Sequence, residues 1–259
     1  MRRGGSKIKL LIGAGIILFA VIKYCGSAEV NPYTNEKQHI ALTEEQEVAM
    51  GLQAAPQMAQ QHGGLYPDEN YQAFVDQVGQ RLVNNSIASQ SGYKFDFHLL
   101  ADRQTINAFA LPGGQIFITY ALFSKLENED QLAGVLGHEI GHVVGRHSAE
   151  RIAKQGLIQG IVSGVAVGID PNTAQGAAAV AQMLNMQYGR EDELQSDDLG
   201  VLFMMQSDYQ PEEMIGVMEI LKAAAGPNRV PERMSTHPDP ENRKEKIKAS
   251  IEKYRREIQ

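Results

Sequence analysis

The sequence predicts an α+β fold, mostly helical, with one small β-hairpin. Three observations carry this. From Asn128 onward almost every segment places apolar residues at helical spacing. Two short apolar runs, at 107–111 and 115–119, flank Pro112-Gly113-Gly114, which is a hairpin signature. Phe95, Phe97 and Leu99 alternate with polar residues, as a half-buried strand does. The chain has 259 residues, 43% hydrophobic and 21% charged, which is ordinary globular composition with room for a sizeable core. That excludes a disordered, collagen-like or polytopic membrane protein. A net charge of -7 excludes general nucleic-acid binding. One cysteine builds neither a disulfide framework nor a cysteine-rich zinc cluster.

The amino terminus reads as an address. Arg2, Arg3, Lys7 and Lys9 precede an apolar run at 10–22. At about 13 residues it is shorter than the roughly 20 of a comfortable span, so residues 1–28 read as a signal peptide or a short membrane anchor. Gly26-Ser27-Ala28 offers small residues for cleavage, imperfectly, because Lys23 and Tyr24 precede them. Cys25 sits in a poor context for lipid attachment. The basic flank stays in the cytoplasm and the rest of the chain lies outside.

Residues 29–42 are polar and read as a linker, and 43–259 as one domain without repeats. Thr43 and Gln46 fit a capping box that opens a helix through Gln61. Tyr71, Phe74, Val75, Val78 and Leu82 give a second amphipathic helix. Past Asn128 the helices are interrupted by loops at Asp170-Pro171 and at 226–240. Ile247, Ile251, Tyr254 and Ile258 repeat at helical spacing and predict a docking face under a charged exterior.

The chemistry centres on His138-Glu139-Ile140-Gly141-His142. Histidines four apart on a helix share a face, and their imidazoles can hold one zinc ion. Glu139 is rotated about 100° from His138 and reaches a metal-activated water without being a ligand. Leu132, Val135, Leu136, Ile140 and Val143 supply the helical pattern, and Asn128 is a suitable cap. Gly134, Gly137, Gly141 and Gly145 each cost about 1 kcal/mol against alanine in a helix interior, which predicts another element or a substrate lying close. A catalytic zinc needs a third protein ligand and an open position. Glu193 is the best candidate. Asp197, four residues on, can accept a hydrogen bond from the second nitrogen of a ligating histidine. The neighbouring Glu191, Asp192 and Asp198 keep open the plainer reading of a solvated acidic face.

Together these motifs resemble the HtpX and CAAX-prenyl-protease group of zinc metallopeptidases. The shared pattern is HExxH on one helix, ExxxD on a later one, the 107–114 hairpin before them, and Ser235-Thr236-His237-Pro238 with Arg243 after them. The resemblance runs from about Thr43 to Arg243 and is closest to exported single-domain members. It implies a zincin-like domain with a small β-sheet or hairpin packed against the HExxH helix. It implies one Zn2+ per chain held by His138, His142 and Glu193, with Glu139 as general base and proton donor and Asp197 behind a ligating histidine. It sets His237 near the zinc, either stabilising the oxyanion or occupying the open metal position. His147 reads as structural; His39, His62 and His98 carry no signal.

The implied enzyme is a zinc metalloendopeptidase. Zinc lowers the pKa of water to about 7 and polarises the scissile carbonyl, and Glu139 moves the proton. The substrate chain is expected to add as a strand at the hairpin edge near Asn107 and Ala110, so the partners are extended, locally unfolded polypeptides. Membrane association through the amino terminus and a duty in envelope protein quality control complete the expectation. A non-catalytic, chaperone-like protein on the same fold is the alternative. One feature stands apart: Gly156, Gly160, Gly164 and Gly168 recur every four residues on an apolar helix. That stripe reads as tight packing or a lid, or as a helix touching the membrane surface. Ala177 to Ala181 extends it towards a helical hairpin.

Overall fold

A computed structural model of the chain describes residues 4–168, 189–224, 237 and 242–258. The expected loop at Asp170-Pro171, the small-residue run from Ala177 to Ala181, Ser235, Thr236 and Pro238 lie outside these residues, as does the 226–240 loop apart from His237. The described residues divide into two units, 4–43 with 148–168 and 44–147 with those from 189 on. Residues 148–168, expected within one domain, therefore group with the amino-terminal segment.

In the first unit, helix α1 runs Gly4–Gly26. Its stretch Lys7–Gly26 is long and apolar enough to cross a membrane by length and composition, longer than the uncharged run at 10–22 because the helix takes in the flanking lysines. The helix continues into Lys7, Lys9 and Lys23, whose stems can carry their charges outward. The expected linker contains an antiparallel pair, β1 (Ala28–Val30) and β2 (Lys37–His39). Asn31 makes the turn: its buried side chain accepts from the Tyr33 and Thr34 amides. Helix α6 (His147–Gly168) supplies the rest of this unit.

The second unit begins with α2 (Glu44–Gln61), where the capping-box signal puts it, and α3 (Glu69–Asn84), where the periodicity does. Asp68 caps α3, accepting from the Asn70 amide. Strand β3 (Asp96–Leu100) pairs in parallel with β5 (Gln115–Thr119), and β4 (Ala108–Ala110) pairs antiparallel with β5. The hairpin is therefore β4–β5, and β3 joins the other side of β5. The fully buried β5 is the middle strand and β4 an edge. The short α4 (Tyr120–Phe123) follows.

Helix α5 (Glu129–Val144) carries the HExxH motif and is buried from Gln131 to Val144. Asn128 caps it as expected, accepting from the Gln131 amide at 2.8 Å. Around α5 pack α3, strand β4, α7 (Arg190–Gln206) and α8 (Glu213–Ala224). The last helix, α9 (Arg243–Ile258), buries Ile247, Ile251 and Tyr254. Tyr254 Oη and Ser250 Oγ both donate to the Asp198 carboxylate of α7. One member of the acidic run is thus a helix anchor rather than a solvated charge.

Two of the glycines of α5, Gly137 and Gly141, are explained by α7, and Gly134 lies against Met214 of α8. A Cβ on Gly141 would lie 2.8 Å from the Ser196 carbonyl oxygen and 2.9 Å from its Cα. Gly137 and Gly200 face each other in the same way, 3.5 Å from a Cβ on Gly137 to the Gly200 Cα. Backbone-to-backbone approach brings the two motif-bearing helices close enough for their side chains to meet.

Candidate metal centre

His138 and His142, one turn apart on α5, meet Glu193 of α7 and His237. Each offers one donor atom, and the four atoms lie within 4.8 Å of one another. All four side chains are buried. His138 Nε2 is 3.0 Å from His142 Nε2. His237 Nδ1 is 3.3 Å from the first, 3.2 Å from the second and 2.9 Å from Glu193 Oε1. Glu193 Oε2 is 3.4 Å from His138 Nε2, and Oε1 is 3.4 Å from His142 Nε2.

The surrounding hydrogen bonds fix what the two α5 nitrogens present. Asp197 Oδ1 accepts from His138 Nδ1 at 2.8 Å, which leaves a lone pair on Nε2. Gln195 Oε1 accepts from His147 Nε2 at 2.6 Å, so His147 Nδ1 is an acceptor. It accepts the hydrogen bond of His142 Nδ1 at 2.9 Å, with Ser196 Oγ 3.2 Å away. His142 Nε2 therefore also carries a lone pair. The lone pairs of His138 and His142 converge on the Glu193 carboxylate, whose Oε2 has no hydrogen-bond partner.

Such a set repels itself unless a cation sits at its centre. A tetrahedral metal about 2.0–2.1 Å from each donor spaces the donors about 3.3–3.4 Å apart. The three nitrogens here are 3.0–3.3 Å apart, and each lies 2.9–3.4 Å from one or other Glu193 oxygen. The residues fit a divalent metal.

The electrostatics agree at Glu193, Asp197 and His142, and run the other way at His138. Burial opposes the charge on Glu193, yet His237, His138 and His142 hold its carboxyl well below the usual carboxylate range. Burial also opposes Asp197, but Arg243 and His138 bring it down to about 2. Arg243 grips both Asp197 oxygens, Nε at 2.6 Å and Nη2 at 2.9 Å, the bidentate geometry that suits guanidinium. Burial holds His142 well below its ordinary value, so it is neutral, as a ligand must be. For His138, burial is outweighed by Asp197 and Glu193, and its pKa rises.

Glu139 is fully buried beside the cluster, with Oε1 3.9 Å from His237 Nε2. His237 thus reaches the donor set with one nitrogen and faces Glu139 with the other. Asn107 and Ala110 are buried at the edge of the sheet, Ala110 in β4 and Asn107 just before it. Asn107 is held through its backbone by Thr119, and its Oδ1 has no hydrogen-bond partner. His39, His62 and His98 pair instead with the Tyr24 carbonyl, Asp102 and Gln115. Sequence reasoning missed Gln195 and Ser196 and gave His147 only a structural part. The signal was present: Gln195 and Ser196 lie between the two motif acids on α7.

The profile of one peptidase family, described as Peptidase family M48, matches residues 69–251. The chain belongs to peptidase family M48. As an M48 peptidase it is a hydrolase of the metallopeptidase class with the zincin-like fold, and its His138, His142, Glu193 and His237 cluster could hold a metal ion. Among its relatives is the mitochondrial metalloendopeptidase OMA1 of Schizosaccharomyces pombe, 28% identical over 92% of this chain and 69% of that one. The beta-barrel assembly-enhancing protease of Escherichia coli is 28% identical over 91% of this chain and 50% of its own length. Human mitochondrial OMA1 is 29% identical over 93% of this chain and 49% of its own. The M48 chain thus spans about half the length of the latter two.

Proposed function

We propose that this M48 domain is a zinc-dependent endopeptidase acting on extended segments of exported, damaged or misassembled polypeptides. The observation that carries the reading is the convergence of four donors from α5, α7 and His237 beside the buried carboxylate of Glu139. His138, His142 and Glu193 are the protein ligands. Zinc, when bound, acidifies water and polarises the scissile carbonyl. Glu139 takes the water proton and passes it to the leaving amine. Asp197 holds His138, and the Gln195–His147 pair holds His142, with the donor nitrogens aimed inward. Of the two parts open to His237, the fourth ligand position is favoured, because its Nδ1 lies as close to the donors as they lie to one another. Hydrolysis then requires His237 to withdraw, leaving the open position a catalytic zinc needs.

The substrate enters beside β4, the sheet edge that ends at Ala110 and follows Asn107. Main-chain pairing there gives affinity without reading many side chains, so sequence tolerance is broad. The basic residues before α1 and its apolar length favour a catalytic unit outside the cytoplasm, anchored by that helix. A bacterial relative is named for enhancing β-barrel assembly, and a duty in envelope quality control is carried to this chain from that name.

Chelation tests the reading. Dialysis against a chelator is expected to abolish hydrolysis of unfolded casein, and stoichiometric zinc to restore it while calcium does not. Hydrolysis that survives complete metal removal overturns it.

A further inference from the structure

The glycine stripe of α6 has a partner within its own unit. A Cβ on Gly160 would collide with the Ala20 side chain of α1, and one on Gly164 would meet Ile17 and lie 2.6 Å from the Gly13 carbonyl oxygen. As α6 advances from Gly160 to Gly164, α1 recedes from Ala20 to Gly13, so the helices run antiparallel. On α1 the residues that meet α6 are Gly13, Ile17 and Ala20, one helical stripe, buried or half-buried. Among the described residues the other faces of α1 carry no cover: Leu11 is 69% exposed and Phe19 68%. On α6, Ile161 and Val167 point outward as well. No charged residue occurs in α6 after Lys154.

Two facts follow. Small residues that let helix backbones touch are how helices associate in lipid, where apolar burial gives no drive. A continuous uncharged surface formed by two packed helices is what a bilayer covers and what water does not tolerate. We propose that α1 is a retained anchor, and that the apolar half of α6 enters the bilayer beside it, seated through Gly160 and Gly164, with lipid covering Ile161 and Val167. This rests on the reading of α1 as an anchor and adds a second membrane contact. The uncharged part of α6, about 13 residues or roughly 20 Å long, enters the apolar layer without crossing it. Removing α1 as a signal peptide would strip the glycine face of its cover.

The test uses the full-length chain with Cys25→Ser, reconstituted in vesicles of phosphatidylethanolamine and phosphatidylglycerol. Spin labels are placed singly through Phe19→Cys, Ile161→Cys, Val167→Cys and Lys154→Cys. Oxygen, which partitions into lipid, is expected to collide with labels at 19, 161 and 167 more often than a water-soluble nickel chelate does. The label at 154 is expected to show the reverse. The intact mass is expected to include residues 1–28. Combining Gly160→Leu with Gly164→Leu is expected to move the labels at 161 and 167 towards water and leave the one at 19 in lipid, with casein hydrolysis in detergent reporting that the catalytic unit still folds. A lipid-exposed label at 19 with watery labels at 161 and 167 overturns the second contact and spares the anchor. A mass lacking residues 1–28 overturns both. Labels at 161 and 167 that ignore the double substitution overturn the seat.

Discussion

The side-chain carbonyl of Gln195 accepts a hydrogen bond from His147 Nε2 across 2.6 Å, and this amide sets the proton positions of the metal centre. Because His147 must donate to Gln195, its other nitrogen can only accept. It accepts from His142 Nδ1 and leaves Nε2 of His142 open towards the cluster. Gln195→Leu removes the acceptor and frees both rings to change tautomer. It is expected to weaken zinc binding by about 10–100-fold, as loss of a ligand-orienting partner does. Gln195→Glu keeps an acceptor and is expected to retain most of the affinity. Competition with a chromophoric chelator measures both. Equal affinity for the leucine variant and wild type would remove the relay from the account.

His237→Ala separates the two parts open to that residue. With Nδ1 among the donors, its loss is expected to lower zinc affinity modestly and raise casein hydrolysis severalfold, since three ligands remain and the fourth position opens. Hydrolysis that falls with zinc content unchanged would assign His237 to the oxyanion instead.

The two glycine positions Gly141 and Gly156 make a paired stability test. In a free helix either change to alanine gains about 1 kcal/mol. At Gly141 the new methyl meets the Ser196 backbone, and Gly141→Ala is expected to destabilise the metal-free protein by about 1–3 kcal/mol. At Gly156 nothing lies within 4 Å, so Gly156→Ala is expected to be neutral or slightly stabilising. Thermal unfolding of the two variants reads the difference, and equal shifts would contradict the close approach of α5 and α7.

Asp102 gives the loop before β4 a pH dependence of its own. Burial opposes its ionisation, but hydrogen bonds from Thr105, from His62 and from the Gln104 amide hold its carboxyl far below the usual range. A carboxylate depressed in the folded state stabilises it above the unfolded pKa and loses that contribution as pH falls through the folded one. Below about pH 4, where an unfolded aspartate protonates, stability is expected to decline more steeply in wild type than in Asp102→Ala. Denaturant midpoints at a series of pH values check this, and parallel curves would sink it.

What the sequence made legible follows from periodicity. His138 with His142 and Glu193 with Asp197 stood out as pairs because helical spacing of three to four residues is written in the chain, and the ligand part of Glu193 came with the family resemblance. The turn at Pro112-Gly113-Gly114 was legible for the same local reason. The parallel partnership of β3 with β5 was not, because Phe97 opposite Ile116 is a long-range choice that alternation does not encode. His147 looked structural because Gln195 is 48 residues away. Asp198 looked solvated because its neighbours are acidic, yet Tyr254 and Ser250 bind it from α9. The glycine stripe of α6 was visible, but its partner Ala20 lies in a segment that reads on its own as an address.

The central claim is that four converging donors and Glu139 make a zinc-dependent hydrolytic centre. The most direct measurement counts zinc per chain and follows casein hydrolysis for the full-length wild type and Glu139→Gln, purified side by side in detergent. The account predicts about one zinc in each, with hydrolysis at least about 100-fold slower in the variant. Equal hydrolysis by the two proteins, or zinc in neither, would contradict it.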